Sequence, residues 1–359
     1  LTTLGDAFEM YQPHTLAKSE MDASGPYKVY GANGVIGNHT KFNHATPQVL
    51  ITCRGATCGT INVSEAMAWI NGNAMVVKPK KNDVDLNFLK YFLMSGIDLS
   101  VAITGAAQPQ ITRQSLSPIK IQLPPLAEQQ RIAALLDTAD RILKLREQAI
   151  AKLDALAQSV FVDMFGDPLT NSKNFETVKV SSICKLVNGR AFKPTEWQES
   201  GKPIIRIQNL NDEKKRFNYT QENFDKKYLV KNGDVLFSWS GTPGTSFGCF
   251  KWLREDGWLN QHIFKVILNE KLITTDFFIM QMNLKIGELI SQAHGGVGLQ
   301  HVTKKMVDEL PLLLPPIKLQ QDFCKRVTEF EKIQRIYKNA FDLTNLLQSS
   351  LQHQSFAVN

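Results

Sequence analysis

Two stretches of this sequence open on a leucine and two prolines, then run for about 40 residues with almost no helix breaker. Pro124-Pro125 and Pro315-Pro316 lie 191 positions apart, and Gln129-Gln130 and Gln320-Gln321 keep that offset, as do Phe165 and Phe356. After Pro125 neither proline nor glycine occurs until Gly166, and after Pro316 neither occurs again. Proline at the start and glycine past the end is the asymmetry of a helix. Ile132, Leu136, Ala139, Leu143, Arg146, Ile150, Leu153, Ala157 and Val160 step by four and three, all but Arg146 apolar. The second copy repeats the steps with Phe323, Val327, Phe330, Gln334, Tyr337, Phe341, Thr344, Gln348 and Leu351. Such steps predict two long helices that pair with each other, their polar interruptions fixing register. Residues 126–164 in one helix would span about 58 Å.

A fainter echo lies upstream of each helix. Val49-Leu50-Ile51-Thr52-Cys53-Arg54-Gly55 resembles Val235-Leu236-Phe237-Ser238-Trp239-Ser240-Gly241, and Trp69-Ile70-Asn71 resembles Trp258-Leu259-Asn260. Short apolar runs broken by Gly, Pro, Asn and Asp read as strands and turns. Short helices are expected at Leu86–Ser95 and Thr275–Leu284. The expected class is α+β. Two similar strand-rich globular domains, 1–123 and 178–314, are joined and separated by two long helices, 124–165 and 315–359, with a linker at 166–177. The helices pair as an antiparallel coiled coil, and the whole is an internal pseudo-twofold repeat.

Chemistry is harder to find. No G-x-x-x-x-G-K-[ST], G-x-G-x-x-G or H-E-x-x-H occurs, and the Leu-Pro-Pro motifs lack the flanking residues of an adenine methyltransferase. Asn211-Asp212-Glu213-Lys214-Lys215 has carboxylates beside lysine but no paired upstream acid, so it reads as a solvated loop. Asn38-His39 and Asn43-His44 read as turn chemistry. Five scattered cysteines, Cys53, Cys58, Cys184, Cys249 and Cys324, form neither a disulfide framework nor a zinc site. No stretch is apolar enough to span a membrane and no signal peptide is visible, so a soluble, cytoplasmic chain with no membrane partner is expected. Lys and Arg exceed Asp and Glu by 41 to 34, a net charge of +7 that hints at a polyanionic partner. Residues 1–123 carry +2, 124–165 carry −1 and 175–300 carry +4, so shaped surfaces rather than a basic arm must do the binding.

Two unlike globular regions, each followed by a long helix opening on Leu-Pro-Pro-x-x-x-Gln-Gln, resemble the specificity (S) subunit of a type I restriction-modification system. The motif residues are Leu123–Pro125 with Glu128, Gln129, Gln130, Arg131 and Ile132, and Leu314–Pro316 with Gln320 and Gln321. Leu4-Gly5-Asp6 is similar to the start of a target recognition domain. The second copy departs from the first, with Leu319 and Asp322-Phe323 in place of Glu128 and Arg131-Ile132.

The resemblance implies a non-catalytic chain that binds double-stranded DNA through two target recognition domains, each reading half of a bipartite sequence. The helices would act as a ruler, holding the readers about one DNA turn, roughly 34 Å, apart. Two methyltransferase (M) subunits would dock on Glu128, Gln129, Gln130, Gln320 and Gln321, and restriction (R) subunits would complete the assembly. S-adenosylmethionine, ATP and Mg²⁺ would belong to those partners, with no cofactor or metal here. Residue chemistry suggests the DNA-binding set: Arg54, Thr57, Gln108, Gln110 and Arg113 in the first region. In the second it suggests Arg190, Lys193, Arg206, Gln208, Ser240, Thr242, Gln300 and His301. Two rivals stand beside this reading: a coiled-coil scaffold that displays two modules without binding DNA, and a specificity subunit of another restriction-modification type.

Overall fold

Each Pro-Pro pair closes a strand and opens a helix. The long helices run Leu126–Phe165 and Ile317–Phe356, 40 residues each. The first stops where Gly166 adopts φ +78°, its N–H bonded to the Val162 carbonyl, as a left-handed glycine beyond a helix end does. A computed structural model describes residues 1–105, 108–212, 214–240, 246–292 and 302–356. It divides into two units: Leu1–Gln148 with the chain from Tyr337, and Ala149–Ile336. Each unit therefore holds one globular region, the first half of one long helix and the second half of the other.

In the first unit, strands Phe8–Tyr11, Ala74–Pro79, Val49–Thr52 and Ile61–Val63 form an antiparallel sheet in that order. Gly34–His39 pairs antiparallel with Tyr27–Gly31, which pairs parallel with Trp69–Ile70. Thr2–Thr3 pairs with Lys120–Ile121 just before the prolines. The second unit repeats the plan. Its main sheet is Cys184–Asn188, Ile263–Leu268, Val235–Ser238 and Gly248–Lys251, again all antiparallel. Lys202–Ile205 pairs antiparallel with Asn218–Thr220 and parallel with Gly257–Leu259, to which Leu229–Val230 adds. Thr177–Lys179 pairs with Pro311–Leu313. The tryptophans expected to mark the repeat hold equivalent places, Trp69 opposite Val29 and Trp258 opposite Ile204, both in the parallel pairing. The chain is thus α+β, two similar strand-rich domains with two long helices.

The helices are paired within each unit, and the pairing is antiparallel. In the first unit Gln348 donates to Asp140, and Arg146 donates to the Ala340 carbonyl and to Thr344. In the second, Gln334 donates to Asp154 over 2.8 Å. Arg146, the polar break in the apolar spacing, thereby satisfies its guanidinium on the partner helix, where an unpaired charge would be costly. The first core packs Phe88, Phe92 and Phe356; the second packs Phe161, Phe165, Phe277 and Phe323 around shared ring contacts. Among the described residues no helix is long and apolar enough to cross a membrane.

Candidate nucleic-acid interface

The first unit gathers its sequence-chosen residues at one end of the main sheet. Between Val49–Thr52 and Ile61–Val63 the chain makes a turn in which Gly55 and Gly59 take φ near +90°, a conformation other residues rarely adopt. The segment 108–111 lies along that turn: Gly55 N–H donates to the Pro109 carbonyl and Ile111 N–H to the Cys53 carbonyl. Arg54 is thus bridged to Gln110, which also exchanges both backbone hydrogen bonds with Thr104. Arg54, Thr57, Gln108 and Gln110 are all exposed on this ridge. Arg113 is exposed as the first residue of the short helix Arg113–Leu116, capped by Thr112.

The same backbone device recurs in the second unit. Val302 N–H donates to the Trp239 carbonyl, and Trp239 N–H to His262, as Ile111 does to Cys53 and Cys53 to Asn73. Ser240 occupies the place of Arg54 but is only 5% exposed, its carbonyl accepting from the Ser238 hydroxyl. Thr242, Gln300 and His301 lie outside the described residues.

Arg190 is engaged elsewhere. It forms a 2.5 Å ion pair with Glu196, and its guanidinium sits 4.2 Å from the Phe224 ring centre and 4.9 Å from that of Phe192. That pairing, through its hydrogen bond first, holds the Glu196 carboxyl below the usual carboxylate range. Lys193 is exposed at the cap of the turn Pro194–Glu196. Arg206 and Gln208 come together on a cleft of about 570 Å³. Asp212 and Lys215 of the Asn211–Lys215 string share it, as do Trp197, Gln261 and His262, which residue chemistry had not singled out. The signal for the last two was present, since Gln261-His262 follows the repeat marker Trp258-Leu259-Asn260.

The helix starts divide by exposure. Gln130 and Gln321 face outward, and Glu128 pairs with Arg131 over 2.7 Å on the surface. Gln129 and Gln320, at 1% and 0% exposure, turn inward. Gln129 accepts from Asp85 N–H and donates to the Asp83 and Pro124 carbonyls at 3.0, 3.0 and 2.8 Å. Gln320 accepts from Thr274 N–H and donates to the Leu272 and Pro315 carbonyls at the same 3.0, 3.0 and 2.8 Å. Each amide therefore ties the Pro-Pro hinge to the cap of a short helix in its own domain, Leu86–Tyr91 or Thr275–Leu284.

The weaker chemical candidates resolve into local structure. Asp212 accepts from Lys214 N–H, a turn closed by its own side chain, while Glu213 is outside the described residues. Asn43 accepts from Ile70 N–H, and the His44 ring contacts Asn43 and the Tyr11 hydroxyl. The five cysteines are free thiols, and burial pushes Cys53 up to about 11 and Cys184 up to about 12. Among the described residues no three His, Cys, Asp or Glu side chains are grouped to hold a metal.

A sequence model of the family described as the type I restriction modification DNA specificity domain matches residues 1–155 and 172–340. The chain is 21% identical over 353 residues to the type I restriction enzyme MjaVIII specificity subunit of Methanocaldococcus jannaschii, covering 90% of this chain and 83% of that one. It is 26% identical over 316 residues to the EcoKI specificity subunit of Escherichia coli, covering 78% and 67%. In three dimensions it is similar to the S subunit of a type I restriction-modification system from M. genitalium, with TM-score 0.66, 16% identity, and 99% and 96% of the two chains covered.

Proposed function

Because the chain belongs to the family of type I restriction modification DNA specificity domains, we propose that each of its two domains reads one half of a bipartite double-stranded DNA target. The chain itself catalyses nothing; it is the specificity subunit that brings methyltransferase and restriction subunits to that target. Two methyltransferase subunits are bound, matching the two copies of the repeat. S-adenosylmethionine, ATP and Mg²⁺ reside in those partners, and the complex works in the cytoplasm, where its DNA is.

The observation that carries this reading is the duplicated recognition end. The ridge of Arg54, Thr57, Gln108 and Gln110 in one unit and the segments around Trp239 and Val302 in the other are built by equivalent backbone hydrogen bonds on the equivalent sheet of each unit. Exposed Arg, Gln and Thr supply donors and acceptors for base edges and phosphates. Arg131 and Arg190 are the arginines in ion pairs among the described residues, so Arg54, Arg113 and Arg206 keep their charge available. The M subunits meet the outward side chains Glu128, Gln130 and Gln321, while Gln129 and Gln320 serve that contact by fixing where each helix starts. Linking two modest readers makes the second contact intramolecular, so two short half-sites give one selective site.

The test is single-molecule methylome sequencing of cells carrying the cognate methyltransferase, with and without this chain. A split motif, two short half-sites about a fixed gap, methylated only in its presence is the expected result. Chain-independent methylation, with the partner expressed and active, would overturn the reading in favour of a scaffold. Arg54→Ala should then relax one half-site and leave the other unchanged.

A further inference from the structure

The second unit contains several arginines, and their surroundings separate them. Arg190 is neutralised by Glu196 and held between two rings. Arg254 donates to the Asn209 carbonyl and lies over Phe217 and Trp252, so it braces the fold. Arg206 differs from both. Its backbone N–H is fixed by the Asn209 side chain at 3.0 Å, its Nη1 donates to Asn218 Oδ1 at 3.0 Å, and its guanidinium lies 5.5 Å from the centre of the Trp197 ring. Asn218 and Trp197 orient the guanidinium without cancelling its charge, and no ion pair forms at Arg206 among the described residues. A guanidinium has five N–H donors, and Asn218 engages one. The side chain is only partly exposed, so it presents the remaining donors into the cleft shared with Gln208, Gln261 and His262.

A planar donor fork, held in advance by neutral partners, suits a planar pair of acceptors. Guanine offers such a pair, O6 and N7, in the major groove, and Arg is its commonest reader. Prior orientation removes much of the side-chain entropy that binding would otherwise lose. A phosphate can take the same fork, but lysine also serves it as a point charge, so a lysine in place of Arg206 separates the two contacts. We infer that Arg206 is the specificity-determining residue of the second domain, reading a guanine in that domain's half-site, with Asn218 and Trp197 as its positioning residues. This rests on the DNA-reading function proposed above and goes further by assigning one side chain to one base.

The experiment compares the methylated motif of the wild-type chain, in cells with its methyltransferase, with the motifs of Arg206→Ala, Arg206→Lys and Asn218→Ala. Binding of each purified complex to the wild-type site and to single-base variants is measured alongside. The expected result is that Arg206→Ala and Arg206→Lys both lose about tenfold to a hundredfold of the preference for guanine at one position of one half-site. The other half-site stays intact, and Asn218→Ala loses a smaller part of the same preference. If Arg206→Lys keeps the wild-type motif while Arg206→Ala weakens all sequences equally, Arg206 contacts phosphate and the inference is overturned. An unchanged motif in both Arg206 variants overturns it as well. Should Arg206→Ala not accumulate as folded protein, the lysine and Asn218 variants decide between base and phosphate. A wild-type chain that directs no split motif refutes the DNA-reading function itself, a result visible before any variant is made.

Discussion

The two units share a lock and differ in what surrounds it. Gln129 and Gln320 make the same three hydrogen bonds at the same lengths. Around them the packing has drifted. Ile132 stands where the second unit has Phe323, and Gln352 where it has Phe161, so the first unit lacks two of the second unit's four clustered rings. Farther along the helices, Tyr91 donates to Asp137 and Asp140, Lys90 pairs with Asp140, and Gln348 closes the same network. In the second unit the equivalent places are Met280, Glu331 and Ala157, and a groove of about 300 Å³ remains. The difference separates two kinds of constraint. Apolar volume can be refilled in many ways, whereas a hinge that buries backbone groups must satisfy each of them.

That contrast breaks most sharply at the rings. Phe161→Ala removes a side chain stacked on Phe277 and edge-on to Phe323, and should destabilise the second unit by about 3–5 kcal/mol. Gln352→Ala, at the matching place in the first, should stay within about 0.5 kcal/mol. Denaturant titration with a probe in each unit measures both; equal losses would show that the ring cluster has a hidden counterpart.

The lock comes next. Gln129→Ala and Gln320→Ala each strand one backbone N–H and two carbonyls, and each should cost about 2–4 kcal/mol in its own unit. Calorimetry of the two variants should give matched losses; a tolerated change at either site would mean water or a neighbour can replace the amide there.

The smallest effect concerns acid. Burial alone would raise the Asp140 carboxyl, but hydrogen bonds from Tyr91, Gln348 and Lys90, with the charge of Lys90, outweigh it and hold the group below the ordinary carboxylate value. A depressed folded value adds stability that is complete above about pH 5 and fades as pH falls through it. Because Asp140 is well exposed, the gain is a few tenths of a kcal/mol. Asp140→Asn should flatten the pH dependence of the first unit's urea midpoint between about pH 5 and pH 3. An unaltered slope would remove Asp140 from the account.

Much of this architecture was legible because helix and turn signals are local. Pro125 and Gly166 bracket one long helix, and the apolar steps from Ile132 to Val160 fall on it. The Trp69 and Trp258 echoes mark equivalent strands. Strands of two residues, such as Thr2–Thr3, leave no periodicity to read. The direction of Gln129 was also hidden: a glutamine doublet in the first turn of a helix looks like surface, and its partners Asp83 and Asp85 lie more than 40 residues upstream. Among the arginines, residue type alone ranked Arg190 with Arg206. Glu196 on one and Asn218 on the other separate them, and only folding brings those neighbours near.

The order in which these units can be completed follows from where their parts lie along the chain. The second, Ala149–Ile336, is one unbroken stretch and can close its core as soon as that stretch has left the ribosome. The first must wait. Phe356, packed against Phe88 and Phe92, reaches it only after the whole second unit has been made. During synthesis the earlier half is thus left without the ring that packs on Phe88 and Phe92 until the second long helix arrives.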